Sequence, residues 1–150
     1  MTNGILILGN TYETTLKPLF ILQKRVVRII TFSKLDSCSS PLFKPLGLIT
    51  FFDIALFQIA MFMYKFHNNV LPAAFHFFFT KVTSVHNYNT LTHLPYARTN
   101  YGQFNIRFQG PAVWNAIDDN VKLSIDDNVK LSSFISVFKK RLKDQYVERY

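Results

Sequence analysis

Apolar residues fall into three helical runs, with a polar, Asn-rich stretch between the second and the third. From Thr14 to Phe32, at about 100° per residue, Leu16, Leu19, Phe20, Leu22, Val26, Val27, Ile29 and Ile30 share one broad arc. Lys17, Lys24 and Arg28 fall opposite, with Arg25 beside them. Ile21 interrupts this polar face and predicts a second contact there. Thr14 or Thr15 is the expected cap, and Pro18 is expected in the first turn, where its missing N–H costs nothing. From Thr50 to His67 the chain is apolar on nearly every side, as in a helix buried in a core, and Asn68-Asn69 ends it. The third run, Ser132 to Val147, sets Phe134, Val137, Phe138, Leu142 and Tyr146 on one stripe, with Ser132 or Ser133 as its cap.

Between these runs the pattern weakens. Residues 32–45 hold Ser, Asp and Pro at turn frequency and read as a connector. Pro72 can open a short Phe-rich helix through Phe79. Residues 84–101 read as loop. Phe104, Ile106 and Phe108 alternate with polar residues, which predicts a short extended segment broken by Gly110-Pro111, with a helical turn or two over 112–117. The fold expected is mainly α: a small helical domain with a long Asn-rich loop and at most a minimal extended segment.

Residues 117–124 and 125–132 both read Ile-Asp-Asp-Asn-Val-Lys-Leu-Ser. Two copies of eight residues fall short of a solenoid, and an in-frame duplication is the simplest source. The added copy is expected on the surface.

Composition narrows the class. The 150 residues are 49 % apolar and 17 % charged, which argues for a folded chain. Cys38 is the only cysteine, so no internal disulfide forms, and the start lacks the basic and apolar regions of a secretory leader. An intracellular, non-secreted protein is expected. Leu46 to Tyr64 is long enough to span a membrane, but Asp53 and Gln58 inside it favour a buried helix, since a central Asp costs about 2.5–3.5 kcal/mol on insertion scales. A membrane is therefore not an expected partner. The apolar run Ile5–Leu8 starts almost at once, as though more protein preceded it.

Catalytic chemistry finds no foothold. His67, His76, His86 and His93 are irregularly spaced, Cys38 stands alone, and no Gly-rich phosphate loop or nucleophile elbow occurs. Asp118-Asp119 and Asp126-Asp127 read as acidic first turns of helices. No catalytic residue, metal or cofactor is expected. Charge is the better lead: 17 Lys and Arg against 9 Asp and Glu give +8. Lys17, Lys24, Arg25 and Arg28 form one stripe, and Lys139, Lys140, Arg141 and Lys143 a second cluster. Such stripes suit phosphate contacts on an RNA or DNA duplex backbone, and equally a solvated helix face.

Three groups of residues carry a resemblance: Asn89-Thr90, then Arg98-Thr99-Asn100-Tyr101-Gly102, then Gly110-Pro111-Ala112-Val113-Trp114-Asn115. With Asn10 and Tyr12 upstream and the closing Phe-Lys-Lys-Arg-Leu-Lys of 138–143, their order is similar to the C-terminal tail of LINE-type (non-LTR), jockey-like retrotransposon reverse transcriptases. Leu8 and Leu91 stand where that family usually has Trp and Arg. The resemblance implies a single domain over 1–150, cut from a longer polymerase: thumb-like helices at 14–80, a loop at 84–110 and a helical tail at 112–150. It also implies that the catalytic palm is a missing partner and that the chain is no enzyme by itself. A small stand-alone interaction domain, or a membrane-associated protein, is the alternative.

Deleting residues 125–132 should shift the melting temperature only slightly, as typical surface loop changes do. A large loss on thermal denaturation would place the second copy in the core.

Overall fold

A computed structural model describes residues 11–82, 91–122 and 131–149. The described chain is mainly helical: α1 (Glu13–Ile30), α2 (Ser40–Phe43), α3 (Phe51–His67), a 3-10 turn at Ala73–Phe75, α4 (Asn100–Phe104), α5 (Ile106–Ala116), α6 (Asp119–Lys122) and α7 (Leu131–Val147). Among the described residues there is no strand, only one antiparallel bridge between Lys81 and Thr92. Two compact units form, one from residues 11–57 and 139–149, the other from 58–82, 91–122 and 131–138.

In the first unit, α1 starts one residue before the expected threonines. Tyr12 is its N-cap, without a side-chain capping bond, so neither Thr14 nor Thr15 caps it. Pro18 therefore lies sixth in the helix, beyond the first turn, where its ring nitrogen has no proton to donate. Gln23 ties α1 to the start of α3: its Nε2 donates to the Ile49 carbonyl at 2.9 Å, and its Oε1 accepts the Phe51 N–H at 2.8 Å. Phe20 packs on Phe52 with ring centres 5.1 Å apart. Of the predicted apolar arc only Leu16 and Val27 are fully buried, while Leu19, Leu22, Val26, Ile29 and Ile30 are exposed, and so is Ile21 on the other side.

Asp53, anomalous within its apolar run, sits in the first turn of α3. Thr50 Oγ1 accepts its backbone N–H, as an N-cap does, and donates to its carboxylate. Leu142 and Tyr146, one turn apart on α7, are buried in this unit. Burial pushes the Tyr146 hydroxyl pKa up; Arg149 pulls against it and Asp53 adds to it. No described helix is long and apolar enough to cross a membrane.

Three helix ends close in one way. After α1, the Phe32 N–H bonds the Ile29 carbonyl and the Ser33 N–H bonds Arg28, with Phe32 at φ +52°. Gly47 after α2 (φ +57°) and Asn69 after α3 (φ +54°) repeat the pattern. Each is a Schellman end, whose left-handed residue suits Gly or Asn. Phe32 meets that demand with a side chain that strains it, and the ring is 98 % exposed.

The second unit is an aromatic core. Tyr64 stacks on Phe138 at 4.2 Å, and Phe62 and Phe66 pack edge-on against Phe79. The extended segment expected at Phe104–Phe108 is absent. Instead α4 and α5 meet at Asn105, whose backbone is extended at ψ 140° and whose side chain accepts the Arg107 N–H to cap α5. This break resets the helical phase, so residues two apart do share a half-buried side, which is the alternation the sequence displays. Gly110-Pro111 does not break the backbone either, since α5 runs through both. The Asn-rich loop is thus shorter than 84–110; its residues 84–90 lie outside the described residues. So do 123–130, which hold half of the two repeat copies, and the Phe134 side chain. Pro72 opens only the short 3-10 turn, and α7 starts at Leu131, which puts Ser132 and Ser133 inside it and not at its cap.

Gly110 lets α5 approach α3 closely. A Cβ there would lie 2.8 Å from Met63 Sδ and 3.1 Å from the Phe79 ring. Met63 can yield and a packed Phe cannot, so Gly110→Ala should cost about 1–3 kcal/mol, the range of overpacked cores. Urea denaturation checks it, and an unchanged midpoint would show that the Phe79 ring moves freely.

Candidate nucleic-acid interface

The first unit concentrates the positive charge. Residues 11–57 and 139–149 hold 11 Lys and Arg against 5 Asp and Glu, +6 of the chain's +8. Both basic groups seen in the sequence belong to it. On α1, Lys17 and Arg25 stand exposed. Lys24 is half-buried, its Nζ 4.2 Å above the centre of the Phe20 ring. Arg28 turns back along the chain and donates from Nε to the Ser37 carbonyl at 3.0 Å, which staples the connector under the helix end. Two of the four stripe residues therefore serve the fold as well as the surface.

On α7, Lys139, Lys140, Arg141 and Lys143 are exposed, because Leu142 and Tyr146 take the buried side. Lys143 Nζ lies 4.0 Å from where a Cβ on Gly47 would sit, so its side chain reaches the left-handed turn after α2. Exposed ammonium and guanidinium groups on two helices of one small unit can contact phosphates without reading bases, since no exposed aromatic of α1 interleaves with Lys17 and Arg25 on their side.

The residues of the family-like motifs go elsewhere, into the scaffold of the second unit. Trp114 is buried and stacks on the His67 ring at 4.6 Å. Asn115 grips Thr92 twice: its Oδ1 accepts the Thr92 N–H at 3.0 Å, and its Nδ2 donates to the Thr92 carbonyl at 2.9 Å. Thr92 Oγ1 in turn meets His67 Nε2 at 2.8 Å, and Lys81 Nζ donates to the His67 carbonyl at 3.2 Å. Gly110 provides the close helix crossing, and the Gly102 N–H is accepted by Thr99 Oγ1, the cap of α4. Tyr12, Arg98 and Tyr101 are exposed. Asn10, Asn89 and Thr90 lie outside the described residues.

Lys122 was not singled out in the sequence, yet it is buried, paired with Asp119 Oδ1 at 3.2 Å and 5.7 Å from the centre of the Trp114 ring. Its only sequence signal is its place three residues after an acidic helix start. Asp118 caps α6 by accepting the Asn120 N–H, as the acidic-turn reading requires, and Asp126-Asp127 lies outside the described residues. His76, His93 and Cys38 are exposed, and among the described residues no three of His, Cys, Asp and Glu gather to hold a metal ion. No family model, curated protein or solved structure matches the chain.

His67 supplies a pH dependence. Burial, then the charges of Lys81 and Lys122, lower its pKa from 6.5 to about 4. Between these values the unfolded chain takes up a proton that the folded chain refuses. Its contribution is therefore whole above pH 6.5 and drains away as pH falls toward about 4. Allowing for its partial exposure, the loss should be about 1–2 kcal/mol. Urea melts at pH 7 and pH 4.5 measure it. His67→Gln, which keeps a partner for Thr92, should flatten that part of the slope; an equally steep slope would assign it to other groups.

Proposed function

We propose that the chain is the thumb and post-polymerase segment of a LINE-type reverse transcriptase, and that its first unit holds template–primer duplex by the phosphate backbone. The order and spacing of the motifs between Tyr12 and Lys143 support the family reading, and the helical fold agrees with it. The binding reading is carried by one observation, the gathering of +6 into one unit with Lys17, Arg25, Lys139, Lys140 and Lys143 exposed. Reverse transcription itself belongs to the palm of the parent enzyme, so the segment has no polymerase activity of its own and takes no cofactor. Its place of work is inside the cell, in cytoplasm or nucleus, where such duplexes are made. A polymerase palm frame in the genomic DNA directly upstream of the Met1 codon would support the family assignment, and a promoter with no such frame would overturn it.

Binding through phosphates is blind to sequence and weakens with salt, each contact adding about 0.9 to the slope of log K against log salt on B-form duplex. Replacing Lys17 and Arg25 with Gln should lower that slope by roughly two contacts' worth and weaken all duplexes alike. Lys65 and Arg98, in the second unit, remove the same charge when replaced by Gln and should change it little. Filter binding at two salt concentrations separates the pairs. Equal losses would mean that net charge alone, with no grip on the first unit, accounts for binding.

A further inference from the structure

The apolar face that α1 leaves open has a regular spacing. Leu19, Leu22, Val26 and Ile29 recur at intervals of three, four and three residues, with Ile30 beside them, and all five are 47–67 % exposed. Three-four spacing is the seam of paired helices, where each side chain enters a hole on the facing helix. The side α1 buries in its own unit, Leu16 and Val27, lies about a quarter-turn away. Lys17, Lys24 and Arg28 lie roughly opposite the seam, at about 100° per residue. One helix thus has three faces: one packed, one basic, one apolar and uncovered. Scattered apolar exposure is ordinary on protein surfaces, and a contiguous strip marks a contact.

The positions beside the seam identify the occupant. Gln23 and Ile30 flank it on one side, Pro18 and Arg25 on the other, so a single charge borders it. That one cation, Arg25, gives an acidic helix a single point to pair with. Lipid would also take an apolar strip with cations opposite, and vesicle binding separates it from a second copy. A second α1 fits without a like-charge clash in the seam. With about half of each aliphatic side chain still open, the five offer on the order of 500 Å² per copy, at the lower edge of specific interfaces, where association is weak and reversible.

We propose that two copies of the chain pair through Leu19, Leu22, Val26 and Ile29 of α1, a self-complementary contact about a two-fold axis. The pairing leaves each Lys17–Lys24–Arg28 face open, and it does not rest on the family assignment.

Sedimentation equilibrium of the full chain at low and high salt tests this. A reversible monomer–dimer equilibrium is expected, and it should tighten with salt, because screening relieves the repulsion between two units of +6. Capture of an acidic partner or of nucleic acid would weaken instead. Leu22→Gln with Ile29→Gln should weaken the dimer at least tenfold while leaving circular dichroism and melting unchanged, since both side chains are exposed. Ile21→Gln, on the basic side, should leave the dimer as it is. A monomer at every concentration, a dimer that loosens with salt, or one indifferent to the double substitution overturns the proposal. So does binding of the monomer to phosphatidylcholine–phosphatidylserine vesicles that the double substitution abolishes, which would make lipid the occupant.

Discussion

The second unit depends on how Thr92 is held. An isolated bridge between Lys81 and Thr92 is too little sheet to stand in water. Asn115 completes the backbone pairing that a third strand would supply, taking the N–H and giving to the C=O of one residue. His67 binds the hydroxyl of the same threonine, and the plane of its ring lies on Trp114. One threonine so joins the end of α3, the bridge and the end of α5. The N–H, C=O and hydroxyl of the buried Thr92 are all paired, which is the condition for burying them without penalty.

This explains why motif residues of the kind found here need not touch a ligand. Trp114 and Asn115 act on the fold, one as a flat apolar wall and the other as a substitute strand edge. Gly110 acts on it too, by permitting a contact that any side chain would obstruct. The basic helix faces belong to other residues, those of α1 and the second half of α7, where cations stand out because the buried side is already taken. The motif residues around Thr92 and the two basic helix faces thus fall in different units.

The long helices were legible because burial and period agree in them: α3 is apolar all round, and α7 buries Phe138, Leu142 and Tyr146 at four-residue steps. The capping of α3 by Thr50 and the end at Asn69 follow from residue types that hold such positions. The path from Thr99 to Ala116 was not legible, because a break at Asn105 turns two helical periods into an apparent period of two. Nor was the Thr92 knot, whose members lie 23 and 25 residues apart, with ordinary residue types and no local pattern to join them. For the basic residues the sequence showed the stripes. Only the structure shows that they share a unit and that Arg28 is spent on the connector.

Trp114 is the only tryptophan in the chain, and it lies among His67, Tyr64 and Phe138 in the second unit. Its fluorescence therefore reports the melting of that unit alone, whereas helical ellipticity sums over both. The molecule carries its own means of distinguishing one cooperative transition from two. Coincident curves from the two signals would mean that α3 and α7, which pass through both units, bind them into one thermodynamic body; separated curves would mean that each unit keeps its own stability.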